Sequence, residues 1–135
     1  MIVYLDTSAV GKLLIDEAES LALAQYLDEL AAGPGTVIAS GFILETELRR
    51  LANRVSIGQA AVTELLSRFT LIDMGRSIYR EAGLIPEPSL RSLDALHIAA
   101  AQHIAADVFI TYDHRQRFAA QILGLTIEQP GVTAN

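Results

Sequence analysis

Asp6, Glu45, Glu47, Asp94 and Asp113 are the side chains whose type and position suggest chemistry in this sequence. Asp6 ends the apolar run Ile2-Val3-Tyr4-Leu5, and Glu45 and Glu47 lie in the first turns after Thr36-Val37-Ile38-Ala39. Asp113 follows Val108-Phe109-Ile110-Thr111 by two residues, and Asp94 starts the helical stretch that leads into that run. In an open parallel sheet, ligands bind outside the carboxyl ends of the strands, where neighbouring connections diverge. If the first and fourth runs are adjacent strands, these acids meet on one rim from distant parts of the chain. Three or four convergent carboxylates, with no Cys and only 3 His in the chain, make a hard-oxygen site that suits Mg²⁺ or Mn²⁺ and disfavours zinc. Mg²⁺ keeps several waters and takes few protein carboxylates together with substrate phosphate oxygens. The chemistry that fits is phosphodiester hydrolysis, with the metal activating water and neutralising developing charge.

Each acid also has a plainer reading. Asp6 could cap the helix that follows it. Glu45 could pair with Arg49 at i+4 and Glu47 with Arg50 at i+3. Asp94 could favour a helix N-terminus through the macrodipole, and Asp113 could be an ordinary turn acid. His97 and His103 stand six residues apart, a poor spacing for a shared metal, so packing or a supporting role suits them better. Ser8 has no Gly-x-Ser-x-Gly elbow around it and reads as a helix cap; no Gly-x-Gly-x-x-Gly or Walker loop supports a nucleotide cofactor.

The elements that must position these residues alternate, which reads as α/β with a parallel sheet of about five strands. Ile2 to Leu5 is the first strand, near-continuously apolar as expected of a strand covered on both faces. Ser8 caps a helix to about Ile15, and a second helix runs from Glu17 to Ala32, ending at Gly33-Pro34-Gly35. After the second strand a helix runs from Ser40 or Gly41 through Arg54, and Ser56 caps another through Arg68. Phe69 to Ile72 is the third strand and Arg76 to Ala82 a short helix stopped by Gly83. Past the Pro86-Glu87-Pro88 loop, Ser89 or Ser92 caps a helix to Ala105; then come the fourth strand, a helix from His114 to Leu123, and a fifth strand from Leu125 to Ile127. The tail after Pro130 reads as loose.

With 135 residues, 51% hydrophobic, the chain fits one compact domain. Ten basic against 16 acidic residues give a net charge of −6, which argues against nonspecific nucleic-acid binding; nine of the cations are Arg, however, the better bidentate phosphate ligand. The first apolar stretch is too short for a signal peptide, and no run approaches the length of a membrane span, so a cytoplasmic location is expected.

Four segments, in order, resemble the PIN-domain ribonucleases, and within them the VapC-type toxins of bacterial and archaeal toxin–antitoxin pairs. They are Ile-Val-Tyr-Leu-Asp-Thr-Ser-Ala at the start, Glu-Thr-Glu-Leu-Arg-Arg at 45–50, Ser-Leu-Asp-Ala-Leu-His-Ile-Ala-Ala-Ala at 92–101 and Phe-Ile-Thr-Tyr-Asp-His-Arg at 109–115. The resemblance covers nearly the whole chain and implies a single PIN domain over residues 1–135 with a three-layer α/β/α sandwich. It implies that Asp6, Glu47, Asp94 and Asp113 form the acidic metal site, with Thr7, Ser8 and Thr111 supporting them. Glu47 rather than Glu45 is chosen because it precedes Leu-Arg-Arg. The resemblance further implies an RNA substrate, a homodimer, and a small antitoxin protein that inserts a segment into the acidic groove. Arg49, Arg50, Arg54, Arg91, Arg115 and Arg117 are candidates for RNA contact. Competing readings are a noncatalytic interaction domain and, less well supported, an aspartate-based phosphoryl-transfer protein; the latter wants a second Asp where Ser8 stands, or a late Lys where the chain has only Lys12.

Overall fold

In the computed structural model, which describes residues 1–133, the chain runs β1 (Ile2–Leu5), α1 (Thr7–Leu14), α2 (Ser20–Ala31), β2 (Val37–Gly41), α3 (Ile43–Arg54) and α4 (Gln59–Leu66). It continues through β3 (Thr70–Ile72), α5 (Arg76–Gly83), α6 (Ser92–His103), β4 (Val108–Ile110), α7 (His114–Ile122) and β5 (Ile127–Glu128). The strands form one parallel sheet in the order β3-β2-β1-β4-β5. The expected α/β class and the five-stranded parallel sheet are both present.

Strand alternation divides the interior in two, because successive side chains point to opposite faces. Val3, Leu5, Val108 and Ile110 face one way and pack with Val10 of α1, Leu23 of α2, Leu44 and Leu48 of α3 and Val62 of α4. Tyr4 and Phe109 face the other way and pack with Ile78 of α5, Ile98 of α6 and Ala119 of α7. The result is the three-layer sandwich, and each fully buried Leu, Ile or Phe contributes roughly 1.5–3 kcal/mol of burial. The chain leaves β1 toward β2 on one side and returns through β4 on the other. Register aligns Leu5 with Ile110, and the Asp6 amide donates to the Ile110 carbonyl at 3.2 Å. The crevice of a topological switch point therefore opens beyond the ends of β1 and β4.

Several caps differ from expectation. Asp6, not Ser8, caps α1, its carboxylate accepting from the Ala9 amide. Ser56 is no cap; it adopts a left-handed φ of 59°, and Gly58 precedes α4. Arg91 stands at the N-cap of α6 without a side-chain bond, which puts Ser92 inside the helix and Ser89 in the loop before it. In all three cases a serine beside an apolar run resembles a cap in sequence, while the backbone that carries it decides whether its oxygen can face a free amide. α2 begins at Ser20 rather than Glu17, and Ser20 Oγ accepts the Glu17 amide at 2.8 Å. The tail past Pro130 is held at its start: Tyr112 Oη donates to the Pro130 carbonyl at 2.7 Å. Ala134 and Asn135, at the end of that expected loose tail, lie outside the described residues.

Gln116, on the first turn of α7, is fully buried, and neither amide atom of its side chain has a hydrogen-bond partner among the described residues. A buried amide without partners costs more than an apolar side chain of the same size. Gln116→Met is therefore expected to stabilise the fold by about 1 kcal/mol, a rise of about 4 °C in melting temperature. A fall in a thermal melt would show instead that an ordered water serves the amide.

Candidate active site

Asp6 is only 2% exposed although it sits at the rim, because β1 delivers it straight into the first turn of α1. Its Oδ1 accepts from the Ala9 amide at 3.0 Å and from Ser8 Oγ at 2.7 Å, and its Oδ2 accepts from Thr111 Oγ1 at 2.6 Å. Burial pushes its carboxyl up, and the nearby His97 imidazole, then the Thr111, Ser8 and Ala9 donors, pull it back. Both hydroxyls thus spend their hydrogens on Asp6, while their oxygens take the amides of Tyr112 and Asp113 at 2.9 and 3.2 Å. Ser8 and Thr111 hold the loop after β4 to the first turn of α1.

That loop ends in Asp113, the N-cap of α7, whose Oδ1 accepts from the Gln116 amide at 2.9 Å. Asp94 is half-buried in the first turn of α6. Burial, and then the negative charges of Asp113, Asp6 and Glu47, push its carboxyl up to about 6. Carboxylates from four separate segments therefore act on one another across the crevice.

The two glutamates of α3 part company. Glu47 faces the crevice, its Oε1 accepting from Thr7 Oγ1 at 2.8 Å and lying 2.7 Å from His97 Nε2. Glu45 faces away and meets Arg49 Nε at 4.0 Å, the plain ion pair that the i+4 spacing suggests. The corresponding Glu47–Arg50 pair is not formed among the described residues.

The family model described as the PIN domain matches residues 3–121 of the chain. The chain belongs to the PIN domain family. It is 38% identical over 134 residues to Ribonuclease VapC35 of Mycobacterium tuberculosis, an alignment covering 96% of this chain and 97% of that one. Ribonuclease VapC47 of the same organism is 36% identical over 135 residues, with the same coverage. Among solved structures, VapBC2 from Rickettsia felis, bound to a DNA fragment from its promoter, superposes with a TM-score of 0.76 over 96% of this chain and 99% of that one, at 19% identity. Mycobacterium tuberculosis VapC20, a sarcin–ricin loop cleaving toxin, gives 0.73 over 95% and 99%, at 17% identity. At those identities the two structures speak for the fold.

The PIN domain's acids suit a divalent cation by their chemistry. No Lys or Arg forms an ion pair with Asp6, Glu47, Asp94 or Asp113 among the described residues, and Lys12 is engaged by Glu19 at 2.9 Å. Among the described residues no three acidic or imidazole side chains are grouped so as to hold a metal ion by themselves. The rim is an open arrangement, which fits an ion that takes one or two carboxylates and fills its remaining positions with water and phosphate oxygens. Oxygens remain for it. Asp94 has no hydrogen-bond donor on either oxygen among the described residues, Glu47 keeps Oε2, Asp113 keeps Oδ2, and Asp6 keeps a lone pair on Oδ2. A cavity of about 480 Å³ adjoins the rim along Thr7, Ser8, Tyr112 and Asp113.

The arginine candidates divide as well. Arg49 ties α3 to α4 through Gln59 and Thr63, and Arg117 donates to Gln129 at 3.1 Å. Arg50, Arg54, Arg91 and Arg115 are exposed and form no ion pair among the described residues. Tyr4, in sequence only a residue of the first strand, has a further role in the structure. Its hydroxyl, buried under the rim, accepts the Gly41 amide at 2.8 Å and lies 2.7 Å from His97 Nδ1. A tyrosine in an otherwise aliphatic central strand was the available signal, since a buried phenol needs a partner.

Proposed function

We propose that this PIN domain, residues 1–135 acting as one unit, is an endoribonuclease that hydrolyses RNA phosphodiester bonds with Mg²⁺ or Mn²⁺ held by Asp6, Glu47, Asp94 and Asp113. The observation that carries this reading is a set of four carboxylates acting on one another with no Lys or Arg paired to any of them among the described residues. Such an arrangement is costly unless a cation completes it. The relatives named Ribonuclease VapC support RNA as the substrate.

When bound, the cation supplies Lewis-acid polarisation of a phosphate oxygen and a more acidic water. The chain's own residues do the positioning. Ser8 and Thr111 hold Asp6 with both of its oxygens directed. The α7 cap fixes Asp113, and Thr7 and His97 fix Glu47. Arg91 and Arg115, exposed near Asp94 and Asp113 in sequence, supply the attraction to the RNA backbone that a net charge of −6 does not.

Within this reading the domain is the toxin of a toxin–antitoxin pair, working in the cytoplasm as a homodimer until a small antitoxin protein covers the crevice. The solved VapBC assemblies from Rickettsia felis and Haemophilus influenzae support an antitoxin partner. Among the described residues no helix is long and apolar enough to cross a membrane. Exposed Phe118 and Ile122, one turn apart on α7, offer apolar surface to a protein partner.

Purified protein incubated with RNA in Mg²⁺, Mn²⁺ or chelator tests the reading: cleavage should require the ion. Glu47→Gln should lower the rate by about 100-fold or more, at the upper end of what loss of a metal's outer-shell partner costs, while Glu45→Gln stays near wild type. Residues two apart on a helix point about 200° apart, so only one of the pair can face the crevice. A folded, metal-loaded wild type that leaves RNA intact would favour the noncatalytic interaction domain.

A further inference from the structure

Behind the acidic rim lies a chain of hydrogen bonds whose directions can be read from one fixed donor. The Gly41 amide donates to Tyr4 Oη at 2.8 Å, and only glycine allows that approach, since a Cβ there would stand 2.9 Å from the same oxygen. The phenol sits edge-on to His97, with ring centroids 5.7 Å apart, and stacks on Phe109. Its own hydrogen points to His97 Nδ1 at 2.7 Å, while Ser40 Oγ, beside the phenol, gives its hydrogen to the Leu5 carbonyl at 2.7 Å. An Nδ1 that accepts leaves the imidazole proton on Nε2. From there Nε2–H reaches Glu47 Oε1 at 2.7 Å. Thr7 Oγ1 gives its hydrogen to the same Oε1 at 2.8 Å, and lies 3.1 Å from Nε2. Both lone pairs of Oε1 are taken, and among the described residues Oε2 has no donor.

We propose that His97 is a positioning residue: held as its Nε2–H tautomer by Tyr4 and the Gly41 amide, it locks Glu47 Oε1 and presents Oε2 to the divalent cation. This role presupposes the cation site proposed above. It assigns work to a histidine that is 1% exposed on the Ala-rich face of α6, where packing alone would otherwise account for it. Three segments far apart in the chain, around Tyr4, Gly41 and His97, thereby set the direction of a single carboxylate.

Two kinds of measurement test it. In the metal-free wild type, long-range ¹H–¹⁵N spectra of the imidazole should show a protonated Nε2 and a bare Nδ1 for His97, and Tyr4→Phe should let the other tautomer appear. Mn²⁺ titration should then separate two substitutions. His97→Gln keeps a donor near the Nε2 position and should stay close to wild type, whereas His97→Asn keeps only an acceptor near Nδ1 and should weaken Mn²⁺ binding about tenfold or more. A proton on Nδ1 in the wild type, or equal Mn²⁺ affinity in wild type and both variants, overturns the assignment. If His97→Asn does not fold, the wild-type spectrum and the Mn²⁺ affinity of Tyr4→Phe, expected to be weakened, decide. A folded wild type that binds no Mn²⁺ would instead bring down the cation site itself, and His97's role with it.

Discussion

Asp94→Asn should remove nearly all metal-dependent RNA cleavage, about 1,000-fold or roughly 4 kcal/mol of transition-state stabilisation, while making the metal-free protein more stable. The two effects share a cause. Burial and the charges of Asp113, Asp6 and Glu47 raise the Asp94 carboxyl from 3.8 to about 6, so folding opposes its ionisation. A group whose folded pKa lies above its unfolded one favours folding below the unfolded value and loses that contribution as pH rises through the folded value. The metal-free wild type therefore carries a penalty at pH 7, about 1 kcal/mol after allowing for the solvent that reaches a half-buried carboxylate. Asparagine removes the charge and keeps nearly the same volume. Its melting advantage should be full above pH 6 and fade as pH falls toward 3.8, the window set by the same two values. Saturating Mn²⁺ should stabilise the wild type by mass action and the variant much less. Wild-type cleavage by the variant, or a variant less stable than wild type at pH 7 without metal, would remove Asp94 from the site.

Asp6 is expected to answer differently, because its carboxylate is both a proposed ligand and a cap. Asp6→Ala strips acceptors from the Ala9 amide and from the Ser8 and Thr111 hydroxyls, all deep in the crevice. Losing a cap and stranding those donors should cost about 3 kcal/mol and lower the melting temperature by about 10 °C. Asp6→Asn keeps one carbonyl oxygen for Ala9 and Ser8, and the Thr111 hydroxyl can turn to accept from the new amide. It should melt near wild type and yet lose cleavage as completely as Asp6→Ala. Melts and RNA assays on the two variants separate the cap from the ligand. Full activity in Asp6→Asn would leave Asp6 a cap alone, and an Asp6→Ala protein as stable as wild type would contradict the hydrogen bonds described around it.

Much of this protein was legible along the chain. Ile2 to Leu5 and Val108 to Ile110 read as central strands because a strand covered on both faces needs apolar residues at successive positions. The stations of Asp6, Asp94 and Asp113 followed from those strands, since a parallel sheet gathers its strand ends on one side. The absence of cysteine and the surplus of carboxylates set the kind of ion that the rim would suit. These are consequences of period and of side-chain chemistry, which are local properties.

Other features depended on how the elements pack. Ser8, Ser56 and Ser92 share the composition of caps, yet backbone direction places none of them as the cap of its helix. Glu45 and Glu47 differ only by a rotation about α3, and which one faces the crevice was settled by how that helix lies against α1. Asp6 could be a cap or a rim acid on sequence grounds; Thr111, 105 positions away, closes the network in which the cap's carboxylate stands at the rim. The same holds for His97, whose proton is directed by Tyr4 from 93 positions away and by the amide of Gly41. Hydrogen-bond direction belongs to neighbours in space, and only the tertiary structure brings those neighbours together.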